Sequence, residues 1–275
     1  MSWSTRARRI LASIVAAAVL TSGAVFGAGA ASAAPPPPTL VAALGDSITQ
    51  ASMSCSSLLL CPSNSWSTGT AVNSHAQRLK VLNPALTTAN LAVPSVTSAA
   101  LPAQAHAAIV RGAQYVTIEI GANDACTKTV GAMTPTAVYS ANVSAAITAL
   151  GAQGTQIFVA SIPNLQRMYD INKSSLSARL TWSVLGLCQS MLANPSSTKA
   201  VDVQRRAAVQ ARVNEYNVAL QQACAAVATC RFDGFAVANY AFTKAHISTR
   251  DYFHPSTTGQ SVLAEITWNA SQWAQ

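Results

Sequence analysis

The chain has 275 residues, half of them hydrophobic and only 9% charged, with a formal charge of +8. That length and apolar content suit one domain with a substantial core. The 17 basic residues form no Lys/Arg cluster interleaved with aromatics, Arg205-Arg206 being an isolated pair, which argues against a nucleic-acid partner.

Arg6, Arg8 and Arg9 precede an uncharged stretch from Ile10 to Ala30 and then Ala31-Ser32-Ala33, the order of an export leader with a small-x-small cleavage site. Residues 1–33 are therefore expected to be removed and the protein to be secreted; an uncleaved membrane anchor is the rival reading of the same segment. Removal leaves 14 basic residues against nine acidic ones, a charge of +5, which favours anionic surfaces such as phospholipid or cell wall. Pro35 to Pro38 read as a short stiff spacer over residues 34–38, and residues 39–275 as a single domain.

Four apolar runs have strand character: Leu40 to Leu44, Leu86 to Leu91, Tyr115 to Ile120 and Gln156 to Ser161. Between them, Ser65 to Lys80, Ser98 to Arg111 and Pro135 to Leu150 have helical spacing, the last closed by Gly151; residues 201–222 also read as helix, and Thr267 to Gln275 as the end of the last one. Strands alternating with helices predict a mostly parallel sheet covered on both faces, a three-layer α/β/α domain. A serine-rich loop, Gln50 to Asn64, and a long insert, Asn164 to Lys199, interrupt the alternation. The insert, with Tyr169, Trp182, Leu185, Leu187 and Met191, reads either as the wall of an apolar substrate site or as a small packed helical subdomain.

Six cysteines make an even set, as oxidising compartments favour, and allow 15 pairings. The close pairs Cys55/Cys61 and Cys224/Cys230 suggest two local staples, which leaves Cys126 with Cys188. No Cys-x-x-Cys or His-Glu-x-x-His spacing occurs, and His75, His106 and His246 are scattered, so no metal and no cofactor is expected.

Three segments carry chemistry. Gly45-Asp46-Ser47 follows the first strand, so the chain turns out of the sheet's carboxyl edge and presents a serine hydroxyl where open α/β sheets bind ligands. Asp251 and His254 lie three residues apart, a spacing that puts a carboxylate on one imidazole nitrogen and leaves the other free to take a proton from Ser47. Asn123 follows the third strand and Gly121, so its amide is placed to donate to a developing oxyanion. Each segment alone also reads as ordinary turn or helix-entry punctuation, with Pro255 as a first helical residue; their conjunction in one chain is what argues for a site. Asp46 and Asp124 are expected to bond turn N–H groups rather than act as catalytic acids. Glu119, out of phase with Val116, Ile118 and Ile120, has no evident partner.

These residues resemble the SGNH hydrolases, also called the GDSL lipase/esterase family, from about Leu40 to Trp268: Ser47 matches the first motif block, Asn123 the third, and Asp251 with His254 the fifth. The resemblance implies a flavodoxin-like three-layer fold, a Ser47–His254–Asp251 triad, and an oxyanion hole from the Ser47 N–H, the Asn123 side chain and a second-block N–H. Members usually carry glycine five residues after the second-block asparagine; here Asn90 is followed by Ser95, whose N–H would serve, at a cost of about 1 kcal/mol or more if positive φ is needed. Sequential cysteine pairing also looks like that of secreted bacterial members, which supports Cys126 with Cys188. The implied protein is a monomeric secreted esterase or lipase acting on an ester with an apolar acyl group; a carbohydrate deacetylase with the same triad and a non-catalytic surface-binding protein stay open.

Overall fold

The computed structural model describes residues 35–57 and 60–274. The export leader expected over residues 1–33 lies outside the described residues. Pro35 to Pro38 have no regular structure, but Pro38 is buried and its carbonyl accepts a 2.9 Å hydrogen bond from Asn83 Nδ2, so the end of the spacer is docked on the domain.

The strands are β1 (Leu40–Gly45), β2 (Thr87–Asn90), β3 (Tyr115–Glu119), β4 (Gln156–Val159) and β5 (Cys230–Phe232). They form a sheet in the order β2-β1-β3-β4-β5, and every pairing is parallel. β1 and β3 are buried along nearly their whole length, as continuous apolar runs require in a sheet covered on both sides. The chain order reverses between β1 and β3, and in such sheets the crevice beyond the strand ends at that reversal is where ligands bind. The expected strands are all present; β5, only three residues long behind Cys230, has no sequence signal and was not expected.

The helices are α1 (His75–Leu82), α2 (Leu101–Val110), α3 (Ala122–Ala125), α4 (Thr136–Gly151), α5 (Leu165–Asn172), α6 (Leu176–Leu185), α7 (Gln189–Leu192), α8 (Ala200–Ala225), α9 (Ala236–Asn239) and α10 (Thr257–Ala270). Side by side, α2, α4 and α8 cover one face of the sheet. On the other face α1 and α10 meet at His75, which is fully buried. Thr267 Oγ1 donates to Leu263 O, so it accepts from His75 Nε2 at 2.9 Å, and Nδ1 must then accept from Tyr115 OH at 2.8 Å. Burial pushes this histidine down to about 3, so it is neutral and structural.

Three boundaries differ from expectation. Helix over Ser65 to Lys80 begins only at His75, because the preceding Ser/Thr/Gly segment spends its polar groups locally: Ser74 Oγ donates to Gly69 O and accepts from Gln77 N to cap α1. Gly151 is the last residue of α4 rather than a stop beyond it; a Cβ there would meet Val227 Cγ1 at 2.3 Å. The last helix ends at Ala270, where Ser271 accepts from Trp273 N in a turn, and so does not run on to Gln275.

Disulfides join Cys55 to Cys61, Cys126 to Cys188 and Cys224 to Cys230. In the insert, Tyr169, Trp182 and Met191 are buried and Leu187 packs on the core, so these side chains build a helical subdomain of α5 to α7. Leu185 is exposed.

Candidate active site

Gly45 ends β1 with φ +140°, a conformation only glycine adopts readily. A Cβ there would lie 2.0 Å from Glu119 O on the paired strand, and the Gln104 side chain of α2 clamps the peptide from outside, accepting from Gly45 N at 2.8 Å and donating to Gly45 O at 2.9 Å. The turn that follows carries Ser47 out of the sheet, closed by Gln50 N to Asp46 O and Ser52 N to Ser47 O bonds. Gln260 of α10 holds it from the other side, donating to Ile48 O at 2.8 Å while accepting from Trp66 N at 2.9 Å.

His254 arrives from the segment before α10. Its Nε2 lies 2.8 Å from Ser47 Oγ, and its Nδ1 lies 2.5 Å from Asp251 Oδ2. Asp251 is 1% exposed, and its other oxygen accepts from the backbone N–H groups of Phe253 and His254 at 3.0 and 3.1 Å. That bonding requires the intervening Tyr252 to take φ +56°. Pro255 is not a first helical residue: it bridges to Ile247, and Ser256 caps α10 by accepting from Gly259 N.

Asn123 sits in the short α3 beyond β3, reached through Gly121 at φ +129°, where a Cβ would lie 2.5 Å from Ile162 Cδ1. Its Nδ2 donates to Val96 O at 2.9 Å and to Asp46 Oδ2 at 3.2 Å. The structure thus brings Ser47, His254, Asp251 and Asn123 to one rim and places the Ser95-Val96 segment beside Asn123. Ser95 has φ +66°, the left-handed conformation that glycine relieves. Asn90 steadies the same loop, donating to Thr49 O and accepting from Ala92 N.

Asp46 behaves as a turn residue, as expected, but Asp124 does not: its carboxylate ties α3 to Ser98, 26 positions away. Asp46 Oδ1 accepts from Ile48 N at 2.9 Å, and the carboxylate of Asp124 accepts from the N–H and Oγ of Ser98 at 2.8 and 2.7 Å. Burial pushes Asp46 up to about 6 against the opposing pull of the Ile48 N–H and His254. On β3 the face opposite Val116 and Ile118 is a ladder of polar groups: Tyr115 meets His75, Thr117 Oγ1 meets Ser67 Oγ at 2.6 Å, and Glu119 comes last. Glu119 is 1% exposed, and neither carboxyl oxygen has a hydrogen-bond partner among the described residues, neither arginine nor hydroxyl. Burial, and then the charge of Asp46, push it well above the ordinary carboxylate range.

Beside the serine turn an apolar slot is lined by Ile48, Pro163, Leu165, Met168, Phe242 and Phe253. The insert therefore does reach the site, through Leu165 and Met168 of α5 rather than through its larger aromatics. Gln104 and Gln260 were not singled out from sequence; for Gln104 the signal is a polar amide on a helix face whose other buried members, Leu101, Ala105 and Ala108, are apolar.

A parallel α/β sheet whose reversal point carries a hydrogen-bonded serine, histidine and aspartate defines a hydrolase of the SGNH class. The chain belongs to the GDSL-like lipase/acylhydrolase family, whose model matches residues 43–262. No curated protein matches it significantly. Among solved structures it is similar to TesA at 18% identity and a TM-score of 0.54, covering 84% of this chain and 97% of that one. LAE5, an alpha/beta hydrolase enzyme from the metagenome of Lake Arreo, Spain, matches at 16% identity and TM-score 0.55 over 86% and 96% of the two chains. A catalytic mutant of Axe2, an acetylxylan esterase from Geobacillus stearothermophilus, matches at 14% identity and 0.53, again over 86% and 96%. At these identities the likeness is one of fold.

Proposed function

We propose that the protein is a secreted serine esterase or lipase that cleaves carboxylic esters through an acyl-enzyme. The carrying observation is the unbroken chain Ser47 Oγ, His254 Nε2, His254 Nδ1, Asp251 Oδ2. In this reading Ser47 attacks the ester carbonyl as its proton passes to His254; Asp251 fixes the imidazole tautomer and offsets the charge it gains. The same histidine then protonates the departing alcohol, and water, deprotonated by His254, frees the acyl group and restores Ser47. Asn123 meets the oxyanion by releasing its longer bond, the one to Asp46, while keeping the bond to Val96. The Ser47 and Ser95 N–H groups complete the donor set.

The lining of the slot beside Ile48 suits an apolar acyl group next to the serine, and its volume of about 30 Å³ fits a short group better than a long chain. Three disulfides support an oxidising, extracellular destination, and among the described residues no helix is long and apolar enough to cross a membrane.

The test is hydrolysis of a series of p-nitrophenyl esters from acetyl to long-chain acyl. Ser47→Ala removes nearly all turnover and all covalent labelling by an organophosphate. Asn123→Ala lowers kcat by roughly 10²–10³. Unchanged turnover by the serine variant refutes the proposal; strict preference for acetyl esters of sugars turns it toward the deacetylase reading.

A further inference from the structure

Of the exposed large hydrophobics among the described residues, most occur singly or as neighbouring pairs along the chain, but α6 gathers four. Leu176, Leu180 and Val184 are 62%, 56% and 83% exposed, with Leu185 at 55% beside them. The first three repeat every fourth residue, so they form one stripe along the helix, while Ala178 and Trp182 point the opposite face into the core. A stripe of this kind is costly in water unless something covers it.

The surroundings indicate what does. Between Asp170 and Asp202 the chain carries Lys173, Arg179 and Lys199 and no acidic residue. At the base of α6 a cleft of about 790 Å³ is lined by Lys173, Arg179 and Arg206, with Asp170 and Tyr169. Three cations there face one carboxylate, and Asp170 is already bonded to Lys173 at 2.7 Å. Arg206 is 5% exposed; its guanidinium lies 4.7 Å over the Tyr169 ring, Nη2 donates to Ser197 O, and Nη1 has no hydrogen-bond partner. Arg179 Nη1 donates to Lys173 O at 3.1 Å, so the cations are held in place but not neutralised by the single carboxylate. Apolar side chains standing out from a helix beside such an excess of positive charge are the two halves of an interfacial anchor, one for the acyl boundary and one for phosphate.

We propose that α6 and the basic cleft dock the protein onto an anionic phospholipid surface, Leu176, Leu180 and Val184 entering the headgroup boundary and a lipid phosphate seating at the mouth of the cleft against Lys173 and Arg179, with the buried charge of Arg206 behind them. The surface is distinct from the apolar slot but shares α5 with it: Leu165 and Met168 face the slot, while Gln166, Tyr169 and Asp170 face the cleft. A docked membrane thus sits about one helix diameter, ~10 Å, from the slot wall.

The experiment is flotation of the mature protein, in a Ser47→Ala background so that no lipid is consumed, with vesicles of phosphatidylglycerol or of phosphatidylcholine. Binding is read without catalysis, so its outcome is independent of the esterase proposal. The Ser47→Ala protein floats with phosphatidylglycerol and not with phosphatidylcholine, and inorganic phosphate does not replace the vesicles. Leu176→Ser, Leu180→Ser and Val184→Ser together lower the partition by about tenfold or more, and Lys173→Glu with Arg179→Glu removes the anionic preference. With Ser47 restored, both variants keep the wild-type rate on a short-chain soluble ester and an unchanged circular dichroism spectrum. If the triple variant does not fold, Val184→Ser alone, at the most exposed position, lowers the partition by about threefold. No flotation, equal flotation with both lipids, or stripe variants that bind as well as the parent overturn the proposal. So does a dimer in ultracentrifugation that the stripe variants dissociate, which would make a second copy the occupant.

Discussion

Among the described residues no group bonds either carboxyl oxygen of Glu119, and burial raises its pKa, which fixes the sign of its effect on stability. Its folded pKa is raised, so above the ordinary carboxylate pKa the native state holds a proton that the unfolded chain has lost. Its contribution to stability is complete below that value and declines as pH rises toward the folded pKa. Glu119→Gln, which keeps the shape and cannot ionise, should match wild type near pH 4 and be the more stable protein at pH 8, as denaturant midpoints at the two pH values will show. At Ser95, with φ +66°, Ser95→Gly should stabilise by up to about 1 kcal/mol, because the relief of left-handed strain exceeds the added freedom of the unfolded chain; paired unfolding curves check this. Ser47, Asp251, His254 and Asn123 were legible because each lies in a short motif at the end of a strand or before a helix. Gln104 and the partnerless state of Glu119 were not, because both depend on what a neighbouring element brings to within about 3 Å, which no local pattern records.

Among the elements, α10 supports the serine turn without supplying a reactive group. The buried Gln260 amide ties Ile48 O and Trp66 N, so the helix that follows His254 also braces the segment that carries Ser47. Gln260→Ala leaves Trp66 N without a partner, while Ile48 O keeps its bond from Ala51 N, and should cost about 1–3 kcal/mol of stability, with kcat for a soluble ester falling more than KM changes as the Ser47–His254 distance loosens. Chemical denaturation and steady-state kinetics on the same preparation separate the two effects. The buried strands β1, β3 and β4 were legible as apolar runs, and α2, α4 and α8 as periodic segments of ordinary length. The first half of the expected helix before α1 failed because Ser74 and its neighbours satisfy backbone groups locally, and β5 because three residues carry no period at all.

For the molecule as a whole, the three covalent links differ in reach. Cys126–Cys188 spans 62 residues and ties α3, behind Asn123, to the insert, whereas Cys55–Cys61 and Cys224–Cys230 each span six. In the loop-entropy account, removing the long link costs about 4 kcal/mol and removing a short one about 2 kcal/mol, so Cys126→Ala/Cys188→Ala should melt well below Cys55→Ala/Cys61→Ala in calorimetry. The hydroxyl of Ser47 and the imidazole of His254 stand 207 positions apart. A nascent polypeptide therefore carries Ser47 through 207 further positions before His254 is added. In the proposed mechanism a product that stops before residue 254 is inert toward esters, because the group that takes the serine proton has not yet been made.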